Sequence, residues 1–283
     1  MQEDKLTTIP ITDERYPKEW KDLPNAPKTL QCYGDTALLL KRKLTVVGSR
    51  QTPISALKTG GKIVEKLSQA FVIVTGTADG GDVTAIESAL NVGKVICVLA
   101  GGFSALPQNL LPLLKKVGEK GLLLSPYPFD TPVRSYSYEY RNKLLAYLGE
   151  GTLVLGAGKK SGALITAKYA KQAQKPVFAL PYNPGAFAGE GCNALIKTGA
   201  YLTESADDVC EVFHLPIGQE QPAPKLSADE EKVAIALKEL SQAHVSELAL
   251  KTRIPVFKLR AVLSSLEIKG KAVNLGGNRF SPA

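Results

Sequence analysis

Along this chain, short runs of consecutive apolar residues alternate with longer stretches whose apolar positions recur every three or four residues. The runs are Leu44–Val47, Val72–Val74, Val95–Leu99, Leu122–Leu124, Thr152–Leu155 and Val177–Leu180. Lacking a polar alternate face, each reads as a strand buried on both sides. Between them Ile54–Ala70, Thr84–Val92, Leu110–Glu119 and Ala163–Gln174 carry a helical period. This succession predicts an α/β fold, a doubly wound, mostly parallel sheet covered by helices on both faces. Ligands of such sheets bind beyond the carboxyl ends of the strands. There the chain supplies loops of small residues: Gly48-Ser49, Thr75-Gly76, Gly101-Gly102, Ser125 and Gly156-Ala157-Gly158.

The pattern stops after Phe213, so the core domain is set at 41–213. Residues 214–225, HLPIGQEQPAPK, hold three prolines and no period, and read as a linker. Residues 226–283 have the order of a small winged helix. A first helix covers Ser227–Leu240, a helix pair covers Val245–Lys251 and Pro255–Leu266, and a hairpin over Ala272–Phe280 turns at Gly276-Gly277. Residues 1–40 show neither period and are expected to form an irregular leader.

Composition narrows the classes. The chain has 283 residues, 44% of them hydrophobic, and a formal net charge of +8, which favours an anionic partner. The four cysteines and two histidines are scattered, leaving no constellation for a metal site or a Cys/His nucleophile. No apolar run reaches the ~18 residues of a membrane span. No h-region of a signal peptide opens the chain, and a cytoplasmic location without membrane contact is expected.

The chemistry concentrates in Leu153–Ala167, LVLGAGKKSGALITA. A strand runs into a glycine turn with Lys159 and Lys160, then Ser161-Gly162 opens a helix, and Thr166 follows one turn on. Free N–H groups, a helix N-terminus and cations at one place suit a phosphate. From Gly151 to Gly189 there is no Asp or Glu. The glycines are misplaced for a dinucleotide fingerprint, and no GxxxxGK[ST] occurs, which disfavours an NAD(P) enzyme and a P-loop hydrolase. After the first strand, Gly48, Ser49 and Arg50 offer a sharp exit, a hydroxyl and a planar cation; a plain turn with a solvated arginine is the competing reading. After the second strand come Thr75 and Gly76, with Asp82 as a helix cap. No supported nucleophile or close carboxylate pair is visible, so no catalytic residue is assigned.

Tyr127–Lys143 interleaves tyrosines with Arg134, Arg141 and Lys143. Such interleaving holds single-stranded nucleic acid by stacking and neutralisation, and Tyr138 is the stacking candidate; a loop packed by its own tyrosines is the alternative.

In order along the chain, these segments resemble the DNA-processing protein A family (DprA, also called Smf). The carriers are Tyr16-Pro17 with Cys32-Tyr33-Gly34-Asp35, VVGSR at 46–50, TGTADGGD at 75–82, RNKLLA at 141–146, SGALITA at 161–167, FALP at 178–181 and GCNALIKTGA at 191–200. The resemblance implies a Rossmann-like core that binds single-stranded DNA as a homodimer. It further implies a protein without enzymatic activity or cofactor, which helps load a RecA-type recombinase onto DNA taken up in natural transformation. On it, Arg50, Arg141, Asn142 and Lys160 contact DNA, and Asn193 of the GCN segment joins the site. The chain departs from the family at Gly81, where isoleucine is common, and at Tyr140, where an arginine often stands. Asp79 adds a negative charge near the site. A rival reading, a small-nucleotide hydrolase or sensor of the lysine-decarboxylase-like type, is marked by PGGxGTxxE, of which Ala100-Gly101-Gly102-Phe103 keeps only a trace. In a third, the winged helix binds duplex DNA sequence-specifically.

Overall fold

The computed structural model describes residues 3–215 and 226–282, and the chain divides into two compact units, Met1–Ile217 and Gly218–Ala283. Most of the expected linker, 216–225, lies outside the described residues.

In the first unit the elements are β1 (Thr7–Pro10), α1 (Lys18–Lys21), β2 (Thr29–Gly34), β3 (Lys43–Val47), α2 (Ile54–Leu67), β4 (Val72–Thr75), α3 (Gly81–Val92), β5 (Val95–Val98), α4 (Leu111–Lys120) and β6 (Leu122–Ser125). There follow α5 (Ser135–Leu148), β7 (Thr152–Val154), α6 (Gly162–Gln172), β8 (Val177–Ala179), α7 (Glu190–Lys197), β9 (Tyr201–Leu202) and α8 (Ala206–Val212). Nine strands form one sheet in the order β1-β2-β6-β5-β4-β3-β7-β8-β9. From β6 to β9 in that order the pairing is parallel; β1 and β2 add an antiparallel edge.

Strand alternation divides the core between two layers. Leu44 and Val46 of β3 pack with Ile63, Val64 and Ile86 of α2 and α3, whereas Val47 packs with Leu144 and Leu145 of α5 and Ala167 of α6. Both faces being covered, β3 through β6 are buried at every position, which is why they read as predominantly apolar runs without an exposed alternate face.

The first 40 residues differ from expectation. They supply β1 and β2, with Ile9 opposite Leu30. They also supply Trp20, fully buried, whose Nε1 donates to the Leu144 carbonyl at 3.0 Å. The aromatic segment differs as well: Ser135 onward is helix, not loop. Its buried residues are Ser137, Arg141, Asn142, Leu144, Leu145, Ala146 and Leu148, and the polar members of that row conceal the helical period.

From β3 the chain winds through β4 and β5 to β6, then crosses back to lay β7 on the other side of β3. The carboxyl ends of β3 and β7 thus flank the point where the winding reverses. Their neighbouring loops cannot both close over it, and a crevice opens there.

The second unit contains α9 (Ala228–Leu240), β10 (Ala243–His244), α10 (Val245–Thr252), α11 (Val256–Ile268), β11 (Ala272–Gly276) and β12 (Arg279–Pro282), with sheet order β10-β12-β11. Val233, Leu237, Leu248, Leu259, Leu263 and Phe280 form its own core. The hairpin turns through Gly277 and Asn278, both at positive φ. The three helices and the hairpin are those of a winged helix.

Candidate nucleic-acid interface

A cleft of about 450 Å³ occupies the crevice beyond β3 and β7. On one wall the backbone leaves β3 at Gly48, so close to α3 that a Cβ on Gly48 would lie 2.8 Å from Gly81 Cα. This backbone-to-backbone contact lets Asp82 collect two amides: Gly48 N–H donates to Oδ1 at 3.4 Å and Ala78 N–H to Oδ2 at 3.1 Å. Ser49 N–H donates to the Gly156 carbonyl at 2.8 Å, tying the β3 exit to the β7 exit. Arg50 then emerges exposed at the rim.

The opposite wall is the start of α6. Ser161 caps it, its Oγ accepting from Ala163 N–H at 3.3 Å, and leaves the first-turn amides and the positive end of the helix facing the cleft. Lys160 is exposed beside it. Thr166, one turn in, is fully buried, and its Oγ1 has no hydrogen-bond partner although the residue lines the cleft. This hydroxyl lies behind the cleft wall with its hydrogen-bonding capacity unused.

The floor is electrostatic. Arg141 of α5 is 4% exposed and faces Asp82, also 4% exposed. Its Nε donates to Asn142 Oδ1 at 3.0 Å and its Nη1 to the Val98 carbonyl at 3.3 Å. Asn142 passes the chain on, its Nδ2 donating to the Gly162 carbonyl at 3.2 Å. One buried string, Asp82 to Arg141 to Asn142 to Gly162, therefore sets the N-terminus of α6 relative to that of α3. Burial lifts the Asp82 carboxyl above the usual carboxylate range, against the pull of the Arg141 charge and the two amides. Gly76 is wedged against this pair, with no room for a Cβ between Arg141 and the Asp82 carboxyl.

The structure brings Gly48, Ser49, Arg50, Tyr138, Arg141, Asn142, Lys160, Ser161, Gly162 and Thr166 to the lining of this cleft. Tyr138, 43% exposed, stands at its edge. Other residues singled out in the sequence lie elsewhere. Thr75 and Gly76 are buried beneath it. Lys159 points outward, with Nζ 3.4 Å from Glu190 Oε1. Asn193 is held by the backbone of one residue, accepting from Tyr182 N–H at 3.0 Å and donating to the Tyr182 carbonyl at 2.8 Å. Of the aromatic cluster, Tyr127 and Tyr140 pack edge to face with centroids 6.2 Å apart. Sequence reasoning missed Phe187, 64% exposed on the rim, whose only signal was a large aromatic in the glycine- and proline-rich stretch after β8. It also took Asp82 for a helix cap; the N-cap is Gly80, and Asp82 binds across three segments.

Residues 7–214 match the DNA recombination-mediator protein A family, and residues 206–278 the DprA winged helix domain. The chain belongs to the DprA family. It is 34% identical over 212 residues to the DNA processing protein DprA of Streptococcus pneumoniae, covering 74% of this chain and 75% of that one. It is 32% identical over 275 residues to Protein Smf of Escherichia coli, 93% of this chain and 74% of that one. Among solved structures, S. pneumoniae DprA superposes with a TM-score of 0.71 at 32% identity, over 76% of each chain. DNA processing protein A of Helicobacter pylori, described for its single-stranded DNA binding mode, superposes at 0.67 with 27% identity, over 75% of this chain and 98% of that one.

Among the described residues no group of three or more His, Cys, Asp or Glu is placed to hold a metal ion. None of their helices is long and apolar enough to cross a membrane.

Proposed function

We propose that this chain binds single-stranded DNA in the strand-end cleft and acts by holding the strand rather than by chemistry on it. The observation that carries the reading is the phosphate seat: the α6 N-terminus and the exposed cations Arg50 and Lys160 line one space, with the unpartnered Thr166 hydroxyl buried behind its wall. Tyr138 and Phe187 at its rim offer aromatic faces on which bases stack. Asp82, the carboxylate in the lining, accepts from two backbone amides and faces the Arg141 charge, an arrangement that suits a brace between segments. Arg141 acts from beneath the floor, fixing the seat, while Arg50 and Lys160 meet the phosphates.

As in the family it belongs to, the chain is proposed to work in the cytoplasm as a homodimer that passes incoming DNA to a RecA-type recombinase during natural transformation. Sedimentation and a recombinase-loading assay address those two steps.

Binding to a labelled single strand and its duplex, across a salt series, tests the core of the proposal. Two cations facing the cleft predict a log–log slope of roughly −1.4 for the single strand. Tighter single-strand binding supports the reading. Equal binding to both forms, or none, overturns it and returns the cleft to a small phosphorylated ligand.

A further inference from the structure

Next to the cleft, beyond the carboxyl ends of β4 and β5, lies a recess of about 210 Å³. It shares Arg50, Ala78 and Tyr138 with the cleft, so a strand whose phosphate rests on Arg50 has its neighbouring base at the mouth. The walls differ in kind from those of the cleft. Leu99, Leu106, Pro107 and Val133 supply apolar faces. Gly101 and Gly102 shape the bottom, where the segment after β6 crosses them so closely that a Cβ on Gly101 would lie 2.8 Å from Val133 Cγ2. One side is polar: Asp79 and Asn109 stand together, Asn109 Nδ2 donating to Asp79 Oδ1 at 3.4 Å.

A carboxylate in this position repels a phosphate and welcomes a group rich in N–H donors. Flat apolar walls accept an aromatic ring. From these observations we infer that the recess reads one base of the bound strand and prefers guanine. Guanine alone among the four DNA bases presents two adjacent donors, N1–H and the 2-amino group, to the two oxygens of a carboxylate, with O6 beside them to accept from an amide such as that of Asn109. Thymine sets its single N3–H between two carbonyls, which the Asp79 carboxylate repels. Adenine and cytosine place a lone amino group next to a ring acceptor. The inference rests on the single-strand binding proposed above and adds a preference at one base to an otherwise sequence-blind grip.

The test uses the full chain and oligothymidine in which one central thymine is replaced by guanine, hypoxanthine, adenine or cytosine. A bidentate contact predicts that the guanine strand binds about fivefold or more tightly than plain oligothymidine. Hypoxanthine, which lacks the 2-amino group, falls between. Asp79→Asn abolishes the difference between strands, whereas Arg50→Ala weakens all of them together. Equal affinity for the guanine and thymine strands, with binding intact, overturns the inference alone; so does a guanine preference that survives Asp79→Asn. Failure of the wild-type chain to hold any of these strands overturns the binding reading itself, and the two failures are thus told apart.

Discussion

An arginine buried in the row of α5 that otherwise carries leucines is tolerated because each of its neighbours answers it. Asp82 supplies the counter-charge, Asn142 and the Val98 carbonyl accept its N–H groups, and Gly76 makes way for the pair. Removing one member of such a pair costs more than the pair contributes, since the other is left buried and unmatched. Arg141→Ala is therefore expected to lower stability by about 3–5 kcal/mol in denaturant unfolding. Asp82→Asn in the same chain recovers part of that loss, by removing the stranded charge. If Arg141→Ala unfolds like the wild type and loses only DNA binding, the arginine is a ligand contact and not a brace. Arg50 presents the opposite case. Exposed on the cleft rim, it should leave stability within about 0.5 kcal/mol of wild type when changed to Ala. Single-strand affinity should still fall, and the salt slope should flatten by about 0.7. An unchanged slope would remove Arg50 from the phosphate seat.

Single elements show where the sequence was readable and where it was not. The six central strands were legible because burial on both faces leaves them predominantly apolar, with few polar residues such as Thr45 among them. β1 and β2 were not: half of Thr7–Pro10 and Thr29–Gly34 faces solvent, and strands this short and mixed resemble loop. Their hold on the core comes from long-range contacts, chiefly Trp20 against α5, that no local pattern encodes. Trp20→Ala is expected to cost about 3–5 kcal/mol and to raise amide exchange in β1 and β2 before the central strands. Half of the cleft was legible for a similar reason, since Gly48-Ser49-Arg50 and Lys160-Ser161-Gly162 are local turns. The bonds of Asp82 to Gly48 and of Asn193 to Tyr182 were not readable, because these partners lie in other segments. At the start of α9, Glu230 closes a capping box with Ser227 and is held to about pKa 2, first by Lys269 and then by Ser265. A carboxyl depressed in the fold stabilises fully above its unfolded value near 4.5, and that contribution is lost as pH falls toward 2. Amide protection across α9 should therefore decline between those values. Glu230→Gln, lower in protection at neutral pH, should show a flatter decline.

At the scale of the whole molecule, the division of labour between the two units is decided by magnitude. Every residue lining the cleft and the recess belongs to the unit Met1–Ile217, which has its own two core layers. The winged helix has a separate core and, around the turn between α10 and α11, exposes Leu250, Val256 and Phe257 beside Lys251, Arg253 and Lys258. A face that mixes large apolar residues with cations is built less for a phosphate backbone than for a protein surface. Were both units to hold one strand, the tether would make the second contact intramolecular, and its loss would cost about 10²–10⁴ in affinity. A chain ending at Leu215 is therefore expected to keep single-strand affinity within about threefold of the full protein, as independent sites do. Fluorescence anisotropy with the same labelled strand measures this directly. A loss of two orders of magnitude would instead make the winged helix a second DNA contact and explain its cations as phosphate ligands. Near-full retention assigns the strand to the cleft alone and leaves the apolar turn of the winged helix free for another partner.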